Sequence, residues 1–206
     1  MTIYDNSMAP QTLPDQHIRD RLKTAVVGIA GCGGLGSNCA VALARVGVGR
    51  LVVVDFDKVE VSNLNRQYFF HKHVGMPKAE ALKEVIGWID PEIVVDQHVL
   101  TLDPVNIPLI FRDCDVLVEA FDKAEMKQMI IEAVSKNMAE KPLVCGVGLA
   151  GWGENMELKM QHYDNIFICG DGMREVSGEF PPLAPRVGIV SNMQANQVLE
   201  ILLGRM

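Results

Sequence analysis

Residues 24–49, TAVVGIAGCGGLGSNCAVALARVGVG, set an apolar run, a cluster of glycines and a small-residue amphipathic run in direct succession. TAVVGIA reads as a buried strand, GSNCAVALARVGVG as a helix stopped by glycine, and the following RLVVVDF as a second buried strand. A strand with no polar alternation must be covered on both faces, so this unit predicts a parallel sheet between two helix layers. A Gly-x-Gly-x-x-Gly pattern means something only between a strand and a helix, which is where GIAGCGGLGSN stands. Gly31 permits a tight turn, Gly33 and Gly34 let backbone N–H groups approach a phosphate, and Gly36 lets the helix pack on the strand.

The alternation continues with a helix from Lys78 to about Trp88, a strand near EIVVDQHV and a short helix after Pro104. A strand DVLVEA, a helix from Lys123 to Asn137 and a strand PLVCGVG follow. The expected class is α/β, a mainly parallel sheet with helices on both faces. After Gly151 the texture changes: ENMELKMQ alternates apolar and polar residues and NIFIC follows, which predicts antiparallel additions at one edge. Pro181, Pro182 and Pro185 mark an irregular crossing, and VGIVSNMQANQVLEILLG closes the chain as an amphipathic helix. Residues 1–17, polar and containing Pro10 and Pro14, read as a flexible arm, and 18–206 as a single domain.

Acidic residues outnumber basic ones 26 to 19 and the basic ones are scattered, which argues against a nucleic-acid groove. No apolar run reaches the ~18 residues of a membrane span, and the polar start lacks the features of a signal peptide, so a cytoplasmic protein is expected. The five cysteines are widely spaced with no Cys-x-x-Cys pair, and read as reduced thiols filling the core. Cys169, which ends a strand before a glycine loop, is the one candidate for an accessible thiol, and is nevertheless expected to take no part in the reaction. The two histidines of His71-Lys72-His73 read as surface residues, and Met126, Met129, Met138 and Met193 as flexible packing.

The glycine loop alone leaves dehydrogenases, methyltransferases and nucleotide enzymes open. The stretch VVDFDKVEVSNLNRQYFF, residues 53–70, narrows the choice. Asp55, at the tip of the second strand, is placed to accept hydrogen bonds from ribose hydroxyls. Arg66 and, twelve residues on, Lys78 bring two cations to one region. A dinucleotide diphosphate can be held by the helix terminus without them, whereas ATP, with roughly four negative charges, demands such a clamp. Asn63 and Asn65 can bond ribose or phosphate oxygens without adding charge. Asp122, directly after DVLVEAF, can coordinate magnesium or cap the following helix.

GCGGLGSN, VVDFDKVEVSNLNRQ, VGMPKAEAL and VEAFD, in this order and spacing, resemble the ThiF, MoeB and HesA family, bacterial relatives of ubiquitin-activating enzymes. The resemblance runs from about Leu22 to Gly204. It implies a Rossmann-like fold and adenylylation, with ATP and magnesium, of the C-terminal glycine of a small ubiquitin-like carrier. It also implies nucleotide contacts at Gly34, Asp55, Ser62, Asn63, Arg66, Lys78 and Asp122. With Gly31, Gly33, Gly36, Asp57 and Asn65 these make the expected ATP site; Arg66, Lys78 and Asp122 are the expected catalytic set, and Asp122 the magnesium ligand. Twofold dimers are the family's habit, and the apolar runs LIF at 109–111 and YFF at 68–70 are compatible with one.

The chain departs from the family in three places. Relatives carry Cys-x-x-Cys pairs that bind zinc, whereas Cys169 stands alone, so no zinc site is expected. Relatives have a cysteine before the last crossing segment, where this chain has Ser177 or a neighbour. Relatives begin with an arginine arm that reaches the partner subunit's ATP; here that role is either missing or falls to Arg19 or Arg21. The short length resembles the compact ThiF type, which activates the sulfur carrier ThiS for thiamine thiazole synthesis, with an external sulfur donor completing the reaction. The alternatives are a molybdopterin-synthase-type carrier, a transfer RNA base, an NAD-dependent oxidoreductase, or a nucleotide-binding scaffold without turnover.

Overall fold

The computed structural model describes residues 15–173 and 176–204. Most of the arm expected at 1–17 lies outside these residues; its last three open helix α1, Asp15–Thr24. The chain continues through β1 (Val26–Ala30), α2 (Gly34–Arg45), β2 (Arg50–Val54), α3 (Lys78–Ile89), β3 (Val94–His98), α4 (Ile107–Ile110) and β4 (Val116–Glu119). It ends with α5 (Ala124–Asn137), β5 (Leu143–Gly146), β6 (Lys159–Tyr163), β7 (Ile166–Gly170) and α6 (Ala184–Leu203). The strands form one sheet in the order β3-β2-β1-β4-β5-β7-β6.

The uninterrupted apolar strands are explained by what lies on each face. Val27, Ile29, Leu51 and Val53 point into a core with Leu35 and Leu43 of α2, Leu82 and Ile86 of α3, and Val190 and Val198 of α6. Their neighbours Ala30, Val52 and Val54 point the other way, against Ile107, Phe111, Ile130 and Val134 around α4 and α5. Gly28 leaves the room Phe111 fills, since a β-carbon there would stand 2.6 Å from the ring. LIF and YFF therefore contribute to the core as well as the surface: Phe111 and Phe69 are buried, Leu109 and Phe70 exposed.

The antiparallel extension is smaller than expected. β7 adds parallel to β5, and only β6 runs antiparallel. Strand β6 begins at Lys159, and Asn155–Glu157 form a 3-10 turn instead of the strand read from ENMELKMQ. Only Leu158 of that stretch reaches the core, while Met156 is 94% exposed. Met138, by contrast, is buried, and Met129 and Met193 pack against the two cores. No helix among the described residues is long and apolar enough to cross a membrane.

His73 is not a surface residue. It is fully buried while His71 is exposed, and its ring stacks on Trp88 with centroids 5.5 Å apart. Its Nδ1 accepts the Phe70 N–H at 3.0 Å, closing the turn 71–73 as the Asn63 side chain closes 61–63 by accepting the Glu60 N–H. Sequence cannot distinguish a turn-closing imidazole from a solvated one, since both sit in polar loops.

Burial holds the His73 ring below the ordinary histidine value, with Glu84 pulling it up and Lys72 pushing it down. The unfolded chain thus takes this proton at a pH where the folded chain still resists it. The contribution to stability is complete above the unfolded value, about 6.5, and is lost as pH falls through the lower folded value. Urea midpoints measured from about pH 7 to about pH 5.5 should therefore fall more steeply for the wild type than for His73→Asn, which keeps an acceptor for Phe70 but cannot titrate. Equal slopes would contradict this account.

A candidate nucleotide site at the carboxyl edge of the sheet

The glycines of the first turn divide into those the fold requires and one it does not. Gly31 has φ +97°, and a β-carbon there would stand 2.9 Å from the Ala120 carbonyl oxygen. At Gly36 a β-carbon would lie 1.8 Å from the Gly31 oxygen, a backbone collision, so α2 can start this close to β1 only with glycine. Gly34 faces Val187 at 3.0 Å. Gly33, however, has room: its nearest neighbour is the Gln67 amide nitrogen at 3.7 Å. Among the described residues no other side chain or distant backbone atom comes within 4 Å of that position. Gly33 is also the N-cap of α2 and supplies no side-chain cap, so the first-turn N–H groups face that space.

The second loop is stapled to the first. Asp55 accepts the Cys32 N–H at 2.7 Å through one carboxylate oxygen and the Asp57 N–H at 2.8 Å through the other. Burial pushes the Asp55 carboxyl up from its ordinary value, while nearby Lys78 and the two amides pull it down. From α2, the Ser37 hydroxyl donates to the Gly33 carbonyl at 2.6 Å and accepts the Tyr68 N–H at 2.9 Å. The Asn38 amide donates to the carbonyls of Gly34 (2.7 Å) and Arg66 (2.9 Å).

These staples bring Arg66 alongside the glycine loop, its Cγ 3.8 Å from where Gly34 would carry a β-carbon. Its guanidinium donates to the Ser62 carbonyl and the Asn65 side chain. Asn63 is buried and its amide closes its own turn, which leaves Ser62 and Asn65 as the exposed polar groups of SNLNR. Lys78, 7% exposed, donates to Asp57 at 2.7 Å, so a phosphate reaching it must compete with that carboxylate. Asp122 is exposed and makes no hydrogen bond or ion pair among the described residues. Lys123, not Asp122, occupies the N-cap of α5, and no side chain caps that helix. The structure thus gathers glycine loop, Asp55, Arg66 and Lys78, and leaves Asp122 open at the end of β4.

Ser37 and Asn38 are positioning residues that the sequence reading missed. The available signal was SN at the start of an otherwise apolar helix, a place where polar side chains bond backbone. Gln67 is 8% exposed and its side-chain oxygen has no partner among the described residues, although the amide lies against Gly33. The candidacy of Cys169 as an accessible thiol is overturned. The residue is fully buried in the α2–α6 core, which pushes its thiol up to about 12. Its exposure depended on what packs over β7, which local sequence does not state. Cys32, Cys39, Cys114 and Cys145 are buried as well, and burial raises each thiol.

Ser37→Ala leaves the Tyr68 N–H without its acceptor, while the Gly33 carbonyl keeps the Ser37 N–H at 3.0 Å. It should lower unfolding stability by about 1–3 kcal/mol in urea titrations. A loss under about 0.5 kcal/mol would show that the loops hold together without this staple.

The ThiF family matches residues 4–206. Adenylyltransferase and sulfurtransferase UBA4 of Kluyveromyces lactis is 33% identical over 194 residues, covering 89% of this chain and 43% of that protein. The molybdopterin-synthase adenylyltransferase of Escherichia coli is 27% identical over 191 residues, 90% of this chain and 76% of that one. The chain therefore spans less than half the length of the UBA4 relatives. The solved structure of E. coli tRNA N6-threonylcarbamoyladenosine dehydratase in complex with ATP superposes with a TM-score of 0.83 at 21% identity, covering 92% of this chain and 90% of that one, a likeness of fold. With the family match running over nearly all of the chain, this protein belongs to the ThiF family.

Proposed function

We propose that the chain is an ATP-dependent adenylyltransferase that activates the C-terminal glycine of a small ubiquitin-like sulfur carrier. The observation that carries this reading is the placement of Arg66 and Lys78 beside a glycine loop whose space above Gly33 is open. An oxidoreductase binding NAD would need a hydride-handling pocket, and these two cations have no role in one. The named relatives support the coarse reading, since UBA4 and the E. coli protein are adenylyltransferases.

A carboxylate attacking the α-phosphate of ATP brings a further negative charge toward about four, so the barrier is mainly electrostatic. The N–H groups of α2 hold phosphate, Arg66 and Lys78 offset the charge that leaves with pyrophosphate, and Asp55 fixes the ribose. Asp57 releases Lys78 as the phosphates arrive. Asp122, an exposed carboxylate with no partner among the described residues, would hold a magnesium ion, which when bound would offset further charge. The product is an acyl adenylate. With all five cysteines buried, no thiol of this chain is placed to receive the acyl group, so an external sulfur donor consumes it.

Within this reading we favour a ThiS-like carrier of thiamine thiazole synthesis over a molybdopterin-synthase carrier, in the cytoplasm, because the five cysteines form no Cys-x-x-Cys pair. A homodimer is part of the proposal. Arg21 lies beside Gly204, at the far end of α6 from the Val187 that touches Gly34. A 20-residue helix spans about 30 Å, so Arg21 can meet a nucleotide only in a partner subunit.

Carrier-dependent exchange of pyrophosphate into ATP tests the proposal. Arg66→Ala should slow it by about 100-fold, about 3 kcal/mol of transition-state stabilisation. A change under about threefold would remove Arg66 from the mechanism. Cys169→Ser should leave both exchange and sulfur transfer within about twofold of wild type. A thiol-cleavable carrier–enzyme conjugate that disappears on that substitution would make Cys169 catalytic.

A further inference from the structure

Arg186 and Asp171 form an ion pair in which each side chain is only 2% exposed. The Arg186 guanidinium also donates to the carbonyls of Gly148 at 3.0 Å and Gly153 at 2.7 Å. One side chain therefore fastens three segments: the loop leaving β5, the exit of β7, and the first turn of α6. The fit is close, because a β-carbon on Gly148 would lie 1.9 Å from the Asp171 carboxylate. The same loop pairs with the segment entering α6: Ala150 bridges Pro182 in antiparallel fashion and the Gly151 N–H donates to the Pro181 carbonyl at 3.0 Å. Trp152 and Phe180, 63% and 39% exposed, set their rings 6.4 Å apart on the outside of this pairing.

A buried ion pair of this kind is a poor stabiliser, since desolvation offsets most of its attraction and an apolar pair of similar volume does as well. Its use must lie elsewhere. In a parallel sheet, ligands sit beyond the carboxyl ends of the strands, at the point where strand order reverses, which here is between β1 and β4. The glycine loop, Asp55 and Lys78 occupy the β1–β2 side of that point, which leaves the β5–β7 side for the second substrate. The segments fastened by Arg186 form that side, and the next residue, Val187, touches Gly34 of the glycine loop.

We infer that Arg186, through Asp171, is a positioning residue for the acyl substrate: it holds the 147–153 loop and the 180–183 segment as a fixed track along which the carrier's C-terminal tail reaches the α-phosphate. This rests on the proposed adenylylation. The track is backbone-lined, with Gly148, Gly151 and Gly153 all at positive φ, and suits an extended tail without side chains.

The test compares Arg186→Met, Arg186→Lys and the apolar re-pairing Arg186→Met with Asp171→Leu. Pyrophosphate exchange is titrated with a purified ubiquitin-like protein ending in Gly-Gly from the same genome, and ATP binding is measured by calorimetry. The double variant should recover the drop in unfolding midpoint caused by Arg186→Met, yet raise KM for the carrier about tenfold or more, with kcat within about threefold and ATP affinity within about twofold of wild type. Arg186→Lys, which keeps the charge for Asp171 but cannot make the forked hydrogen bonds to the carbonyls, should shift the carrier KM in the same direction and decides the matter if the apolar variants do not fold. A folded double variant, or Arg186→Lys, with the wild-type carrier KM would overturn the inference, as would equal shifts for carrier and ATP. No exchange by the wild type with any such carrier would instead sink the adenylylation reading, and this inference with it.

Discussion

The close approach of Gly36 to the Gly31 carbonyl is the constraint from which the rest of the site follows. With no β-carbon at Gly36, α2 starts directly against the end of β1, and its first-turn N–H groups open over Gly33. A helix begun one turn later would still pack Cys39 and Leu43 on the sheet, but its terminus would no longer sit beside Asp55 and Arg66. Everything else is fitted to that start. Ser37 and Asn38 are within hydrogen-bond reach of the second loop only because the first turn of α2 lies where it does.

Charge in the candidate site is arranged so that each buried charged group is paired, by a partner that remains displaceable in the case of Lys78. Lys78, almost buried, would be costly if left unpaired, and Asp57, half-exposed, neutralises it while remaining easy to displace. Asp55 is the reverse case. Its carboxylate bonds backbone N–H groups of both loops, which ties its position to the glycine turn and leaves each oxygen a further lone pair. Farther along the carboxyl edge, Glu119 is fully buried at the end of β4 and held by Lys127 and the Phe121 N–H, which fixes the chain just before Asp122. Ionic contacts here set geometry more than they add stability.

What could be read from the chain, and what could not, divides by range of interaction. The β1–α2–β2 unit was legible because its signals are local: glycines at fixed offsets and strands with no polar alternation. Gly31 and Gly36 carry the roles their spacing suggested. The fate of ENMELKMQ was not legible, since alternation reports a strand only when a core exists for it to face, and Met156 has none. Cys169 and His73 failed for the same reason. Cys169 ends a strand and His73 lies in a polar turn, and the burial of each is imposed by distant elements, α2 and α6 over one and Trp88 of α3 over the other. The Arg186–Asp171 pair was invisible in principle, because an arginine opening an amphipathic helix reads as solvated until the loop leaving β5 is folded back onto it.

The central claim is that the site joins AMP to a carrier's C-terminus and stops there. The most direct measurement is mass spectrometry of a Gly-Gly-ended carrier after incubation with this protein, ATP and magnesium, with hydroxylamine added to a parallel sample. The account predicts a carrier heavier by one AMP that hydroxylamine converts to the hydroxamate, with the protein itself unmodified, and with no adduct formed by Arg66→Ala. An unchanged carrier alongside bound ATP, or a carrier joined to this protein by a thiol-cleavable bond, would contradict it.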